Sequence, residues 1–139
     1  MAITQANDTP GLEFTDFEYL MKGSTTLYQG TLVVTSDGYA KAGLKATGLK
    51  VLGVAKGTVV NAGADGAAKV VCVGPVAANG KRLLFKFAND ATDPLTQAHV
   101  GGPAYIFDNN TFTSLATGAT QGGVLRRVDS DGVWIELVS

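Results

Sequence analysis

The side chains best suited to nucleophilic or acid–base chemistry in this sequence are a single cysteine and a single histidine. Cys72 lies in the apolar run KVVCVGP, which predicts a small buried side chain, since an activated thiolate needs a cationic neighbour that the local sequence does not supply. His99 has no second histidine to support it, and we interpret it as a surface residue or a helix-end cation. The sequence therefore predicts no nucleophile with a base beside it.

Metal and phosphate motifs are equally incomplete. The run from Asp129 to Gly132 is similar to the start of a calcium-binding loop, but the bidentate Glu at the twelfth position would fall beyond Ser139. The run NAGADG at 61–66 offers one carboxylate, and the glycine-rich stretches lack the Lys-Ser/Thr ending of a phosphate loop. We therefore expect turns at these places, no enzyme activity, no metal and no cofactor.

The basic residues form two pairs, Lys81-Arg82 and Arg126-Arg127. Successive residues of a strand face opposite ways, which predicts that Arg126 and Arg127 do not form one patch. We expect solvated edges or ion pairs with Asp129 or Glu136, and the alternative is a grip on an acidic protein surface. The formal net charge of -1 argues against nucleic-acid binding.

The elements that must position these residues are predicted to be strands. The 139 residues fit one domain, and 18 of them are glycine. Short runs of Val, Thr and aromatic residues are separated by Asx-Gly or Asn-Asn pairs, which suit the tight turns between antiparallel strands. The turn pairs are Asp37-Gly38, Asp65-Gly66, Asn79-Gly80, Asn109-Asn110 and Asp131-Gly132. Strands are predicted near 31–36, 50–55, 58–60, 68–73, 82–87, 103–107, 111–114, 122–128 and 133–138.

One short helix is predicted near 93–100, where Asp93 can cap the amides, Pro94 fits the first helical position and Gly101-Gly102 ends the element. In the last strand, Val133 and Ile135 share the predicted core face. Trp134 then lies on the outer face, where it is a candidate contact residue; the alternative is a strand covered on both faces. A weak repeat relates 30–42 to 102–114, and Leu52-Gly53-Val54 to Gly122-Gly123-Val124.

The N-terminal residues 1–22 are interpreted as an arm that precedes a single β-domain at 23–139. Residues 1–10 are polar and lack the basic start and apolar run of a secretory signal. Residues 11–22 mix apolar and acidic side chains, and their spacing fits either a strand or a helix. They form part of the protein's own core or dock on a neighbouring subunit. The candidate contacts in this segment are Leu12, Phe14, Phe17, Tyr19 and Leu20.

Several of these segments together resemble the head decoration, or capsid cement, proteins of tailed bacteriophages. The likeness covers most of the chain after residue 20, in turns and small residues. The segments that carry it are Leu20-Met21-Lys22-Gly23, Gly30-Thr31-Leu32-Val33-Val34, Val51-Leu52-Gly53-Val54-Ala55, Gly101-Gly102-Pro103-Ala104-Tyr105, Asn109-Asn110, Gly122-Gly123-Val124 and Val133-Trp134-Ile135.

The resemblance implies an all-β fold: a small Gly-rich antiparallel β-barrel or clip-like β-tulip, or a jelly roll. It also implies a structural virion protein on the outer face of the expanded capsid, made in the host cytoplasm. Its partner would be the major capsid protein, whose subunit contacts it would stabilise. The protein would be a homo-oligomer, a trimer or alternatively a dimer. Independently of the resemblance, the charge balance and the lack of a long apolar run predict that it binds neither nucleic acid nor membrane.

Two other functions stay open at this point. One is a structural β-domain of the phage tail or fibre. The other is a carbohydrate- or peptide-binding β-module, for which Tyr28 and Tyr39 are the candidate aromatic residues.

Overall fold

The computed structural model describes residues 5–6, 16–76 and 80–138, and these residues form twelve strands and one short 3-10 helix. The strands are β1 (Asp16–Leu20), β2 (Thr25–Leu27), β3 (Leu32–Thr35), β4 (Lys41–Ala42), β5 (Lys50–Ala55), β6 (Val59–Asn61), β7 (Lys69–Val73), β8 (Phe85–Asn89), β9 (Pro103–Ile106), β10 (Thr111–Thr113), β11 (Gln121–Asp129) and β12 (Gly132–Leu137). The predicted all-β fold is confirmed, and each of the nine predicted strand segments overlaps a strand. Strands β1, β2 and β4 were not among them. The described part of the chain has no helix of the length and hydropathy needed to cross a membrane.

Two five-stranded sheets make up most of the molecule. The second half of the chain forms a closed barrel in the order β10-β8-β12-β11-β9, in which β8 and β10 run parallel and the other neighbours run antiparallel. The first half forms an antiparallel sheet in the order β1-β7-β5-β3-β4. A parallel bridge between Met21 and Ala40 connects the two edges of this first sheet. The two sheets therefore share one ring-like strand order.

This shared order is an internal repeat. We call residues 16–73 the first unit and residues 85–137 the second unit. Strands β1, β3, β4, β5 and β7 pair in the same sequence as β8, β9, β10, β11 and β12. The first unit also contains β2 and β6, which form a separate two-stranded sheet. The predicted repeat between 30–42 and 102–114 falls on the β3–β4 and β9–β10 pairs, and it is confirmed.

Equivalent glycines mark the repeat most clearly. The pairing of β3 with β5 shifts register beside Gly53, and the pairing of β9 with β11 shifts beside Gly123. A Cβ atom on Gly53 would lie 2.3 Å from the carbonyl oxygen of Val73, and one on Gly123 would lie 2.4 Å from that of Glu136. Each glycine therefore lets its strand approach the next strand closely, as expected for glycine beside a bulge.

The two units share a core through β3. Val33 points into the first cluster of buried side chains, with Met21 and Cys72, whereas Leu32 and Val34 point into a second cluster that fills the barrel of the second unit. Strand β3 is thus buried on both faces, and its four residues are all buried. Backbone bonds add to the joint, since the Leu32 N–H donates to the carbonyl of Asn109 at 2.8 Å.

The predicted helix near 93–100 is shorter than expected. The 3-10 helix spans Gln97–His99 and its N-cap is Thr96, so Asp93 and Pro94 precede it. The side-chain amide of Asn89 bonds both the N–H and the carbonyl of Leu95, at 2.8 and 2.9 Å. These bonds fix Leu95 in a non-helical conformation that places its side chain in the core. A core contact thus prevails over local helix signals.

Candidate interaction surfaces

The predicted contact residues of the N-terminal segment fall on β1 where the structure describes them. Strand β1 pairs antiparallel with β7 along its whole length. The rings of Phe17 and Tyr19 lie on one face, with their centroids 5.3 Å apart, and Leu20 lies on the opposite face. Tyr19 packs against the first core cluster, whereas Phe17 and Leu20 are exposed. Strand β1 therefore offers a partner two exposed apolar side chains, Phe17 on one face and Leu20 on the other.

Residues 16–22 belong to the first unit. Of the two interpretations of this segment, the structure shows a strand on the protein's own sheet for 16–20. Met21 is fully buried, and Lys22 contacts Asp37 at 2.6 Å. The boundary expected after residue 22 thus falls inside the first unit, because β7 provides the hydrogen bonds and apolar cover that β1 requires. Leu12 and Phe14 lie outside the described residues.

Trp134 lies on the outer face of β12, in the other unit. Its neighbours Val133 and Ile135 are fully buried, and the indole ring is half-buried. The Lys86 ammonium and the Arg127 guanidinium lie 5.9 and 5.5 Å from the ring centroid. Part of the ring is therefore covered by the protein's own cations, which attract the negative face of an aromatic ring.

Arg127 lies over this tryptophan, and the other two arginines of the sequence, Arg82 and Arg126, contact Glu136, two residues further along β12. The prediction that Arg126 and Arg127 face opposite ways is wrong. Their contact partners, Glu136 and Trp134, alternate with buried residues of β12 and therefore lie on one outer face. The pairing of β11 with β12 shifts between Leu125 and Arg127, so Arg126 is the extra residue of a β-bulge. Leu125 stays buried before the bulge while both arginines reach solvent. A bulge depends on the partner strand, so alternation along one strand could not reveal it.

Each arginine is held by a less exposed carboxylate. Glu136 is 16% exposed and contacts the Nε atoms of Arg126 at 3.0 Å and Arg82 at 3.2 Å, and these arginines are 46% and 55% exposed. Asp129 is 24% exposed and accepts two bonds of 2.8 Å from Arg127, which is 66% exposed. The predicted ion pairs are confirmed, and the cations project beyond the carboxylates. We call this surface, formed by Arg82, Lys86, Arg126, Arg127 and Trp134, the arginine face.

Hydrogen bonds lower the pKa values of carboxyl groups on this face. Two hydrogen-bond donors lower the pKa of Asp129 to about 2. The Arg127 guanidinium has the larger effect, and the indole N–H of Trp134, at 2.9 Å, has the smaller one. The Lys86 ammonium lowers the pKa of Asp131, which it contacts at 2.7 Å. In return, Asp129 raises the pKa of Arg127. These ion pairs therefore stay charged at neutral pH.

The residues first considered for chemistry occupy structural positions. Cys72 is 1% exposed, and burial raises the pKa of its thiol to about 12, so the thiolate form is suppressed. His99 is exposed, and its Nδ1 accepts the N–H of Thr96 at 2.9 Å. The predicted turn at 129–132 connects β11 to β12. Among the described residues, no three His, Cys, Asp or Glu side chains are placed to hold a metal ion.

Comparison with known proteins identifies no relative. No protein-family model, curated protein or solved structure matches this chain. The two candidate surfaces, on β1 and on the arginine face, therefore rest on the residues of this chain alone.

Proposed function

We propose that this chain is a capsid decoration protein: a structural virion protein that binds the outer surface of the expanded phage head and stabilises contacts between major capsid protein subunits. The sequence resemblance to cement proteins supports this function. The observation that carries it furthest is the repeated architecture, in which each unit offers its own candidate contact surface.

A protein that braces a joint must contact both sides of it. The first unit exposes Phe17 and Leu20 on β1, and the second unit exposes the arginine face with Trp134. Because the two units are joined through β3, which packs into both core clusters, binding at one surface raises the effective concentration of the other at a neighbouring subunit. Several weak contacts together then give strong binding to a shell of repeated subunits.

The proposal includes oligomerisation and location. The protein acts as a homo-oligomer, a trimer or alternatively a dimer, on the outer capsid surface after synthesis in the host cytoplasm. It works without catalysis, cofactor, nucleic acid or membrane.

Sedimentation with cognate phage heads tests the proposal. We expect saturable pelleting with expanded heads and little with unexpanded heads. Pelleting with neither, or with both equally, would contradict it, and binding to purified tails would favour the tail alternative. Binding to neither heads nor tails, together with binding on a glycan array, would favour the carbohydrate-binding alternative.

Two variants test the part played by β1. Leu20→Ser removes an exposed side chain from β1, and Val60→Ser is its matched control, because Val60 is an exposed aliphatic residue on β6. We expect weaker pelleting for Leu20→Ser only. Deletion of residues 1–15 removes the remaining candidate contacts, Leu12 and Phe14, and keeps β1, and it should also weaken pelleting. Equal pelleting by all variants would exclude this segment from the interface.

A further inference from the structure

We infer that the arginine face binds a carboxylate-rich protein surface. This inference extends the proposed function by naming the chemistry of the partner, and it rests on that function only for the partner's identity.

The guanidinium N–H donors of the arginine face can bind carboxylates of a partner in addition to those of this chain. A guanidinium carries five N–H donors. Glu136 engages Arg82 and Arg126 through their Nε atoms, and both arginines are exposed. Their terminal amino groups are the donors that we assign to a partner. Both side chains are held by one carboxylate, so less side-chain entropy is lost when a partner carboxylate binds across them.

The apolar part of the face suits a protein partner. Leu84, two residues after Arg82 in the sequence, is 44% exposed. The Trp134 ring lies between the cations of β8 and β11 along the sheet. Arginine and tryptophan are enriched among the residues that contribute most of the binding energy in protein interfaces. The face therefore combines anchoring aromatic area with bidentate donors.

The charge balance disfavours a polyphosphate partner. Asp129, Asp131 and Glu136 lie among the four cations, so the face has little net positive potential, and the whole chain carries a formal charge of -1. Nucleic acid is attracted by a net basic strip that acts at long range. Short-range bidentate bonds to carboxylates do not need such a strip. Charge and geometry together select an acidic protein surface.

Binding of fluorescein-labelled poly-L-glutamate, followed by anisotropy, tests the inference. The test variant is the double substitution Arg126→Gln and Arg127→Gln, and both residues are exposed. The matched control is the double substitution Lys50→Gln and Lys56→Gln, which also removes two exposed cations, both from the first unit. Thermal melting of each variant verifies that it is folded.

We expect saturable, salt-sensitive binding by the unaltered protein, at least about tenfold weaker binding by the double variant, and unchanged binding by the control. Binding should also change the emission of Trp134, the single tryptophan. No binding, equal binding by all three proteins, or tighter binding of a single-stranded DNA oligonucleotide would each overturn the inference.

The outcomes separate this inference from the proposed function. If the protein does not pellet with heads but binds polyglutamate as expected, the capsid is excluded as its partner and the acidic-surface inference stands. If heads pellet the protein and polyglutamate does not bind, the inference fails and the decoration function stands.

Discussion

Substitution of Gly123 by alanine should disrupt the contact between β11 and β12. The added Cβ would lie 2.4 Å from the carbonyl oxygen of Glu136 and 2.5 Å from Cγ2 of Ile135. Real Cβ atoms essentially never come within 3.0 Å of a heavy atom from a distant part of the chain, so the backbone of β12 must move. Glu136 also holds Arg82 and Arg126, and this movement should therefore loosen the arginine face.

The magnitude follows from overpacking of a close contact. Forcing an extra methyl group into a packed site costs about 1–3 kcal/mol. For a domain of this size that corresponds to a fall in Tm of about 3–10 °C. Thermal unfolding followed by circular dichroism measures the loss, and the emission of Trp134 reports whether the neighbouring face has changed.

Two further glycines control for other effects of alanine. Gly57 has open space around its Cβ position, so Gly57→Ala should be neutral or stabilise by less than about 1 kcal/mol. An added Cβ on Gly53 would lie 2.3 Å from a carbonyl oxygen, and Gly53 also has a φ of 139°, so Gly53→Ala should cost at least as much as Gly123→Ala. An unchanged Tm for Gly123→Ala would refute the close approach of the strands, and with it the structural equivalence of the two glycines.

Three other predictions concern single side chains. Trp134→Ala should reduce pelleting with phage heads more than it reduces thermal stability, because the ring lies on the face opposite the core. A lower Tm with unchanged pelleting would contradict this. Asp129 has a pKa of about 2, below its ordinary 3.8, so its stabilising contribution is complete above the ordinary value and is lost as the pH falls through about 2. Trp134 emission should titrate with that midpoint, and Asp129→Asn should abolish the titration. Cys72 should resist thiol reagents until the protein unfolds, because its pKa is about 12 and its side chain is 1% exposed; rapid labelling of folded protein would show that the site opens.

Turn chemistry and alternation made most of the fold predictable. Asp37-Gly38 and Asp65-Gly66 place glycine at φ of 93° and 83°, conformations that glycine adopts without steric cost. Val133 and Ile135 alternate with Trp134, and this alternation fixed their faces before any partner strand was known. Such signals are local, because they depend on one residue's backbone or on its immediate neighbours.

The candidate site was only partly predictable. Sequence reasoning selected Trp134 and the β1 residues but separated Arg126 from Arg127. It also interpreted residues 11–22 as part of an arm, although 16–20 form a strand whose partner is about fifty residues away along the chain. The spacing of apolar residues in such a short segment does not indicate which strand will pair with it.

The sequence by itself determined the all-β class, the places of most turns, the core faces of the last strand and the existence of a repeat. Each of these follows from backbone preference or from the two-residue period of a strand. Only the tertiary structure decided that β1 completes the first unit, that β3 is buried on both faces and that a bulge turns two adjacent arginines to one surface. These features are set by the register between strands distant in sequence, and register depends on the packing of the whole sheet.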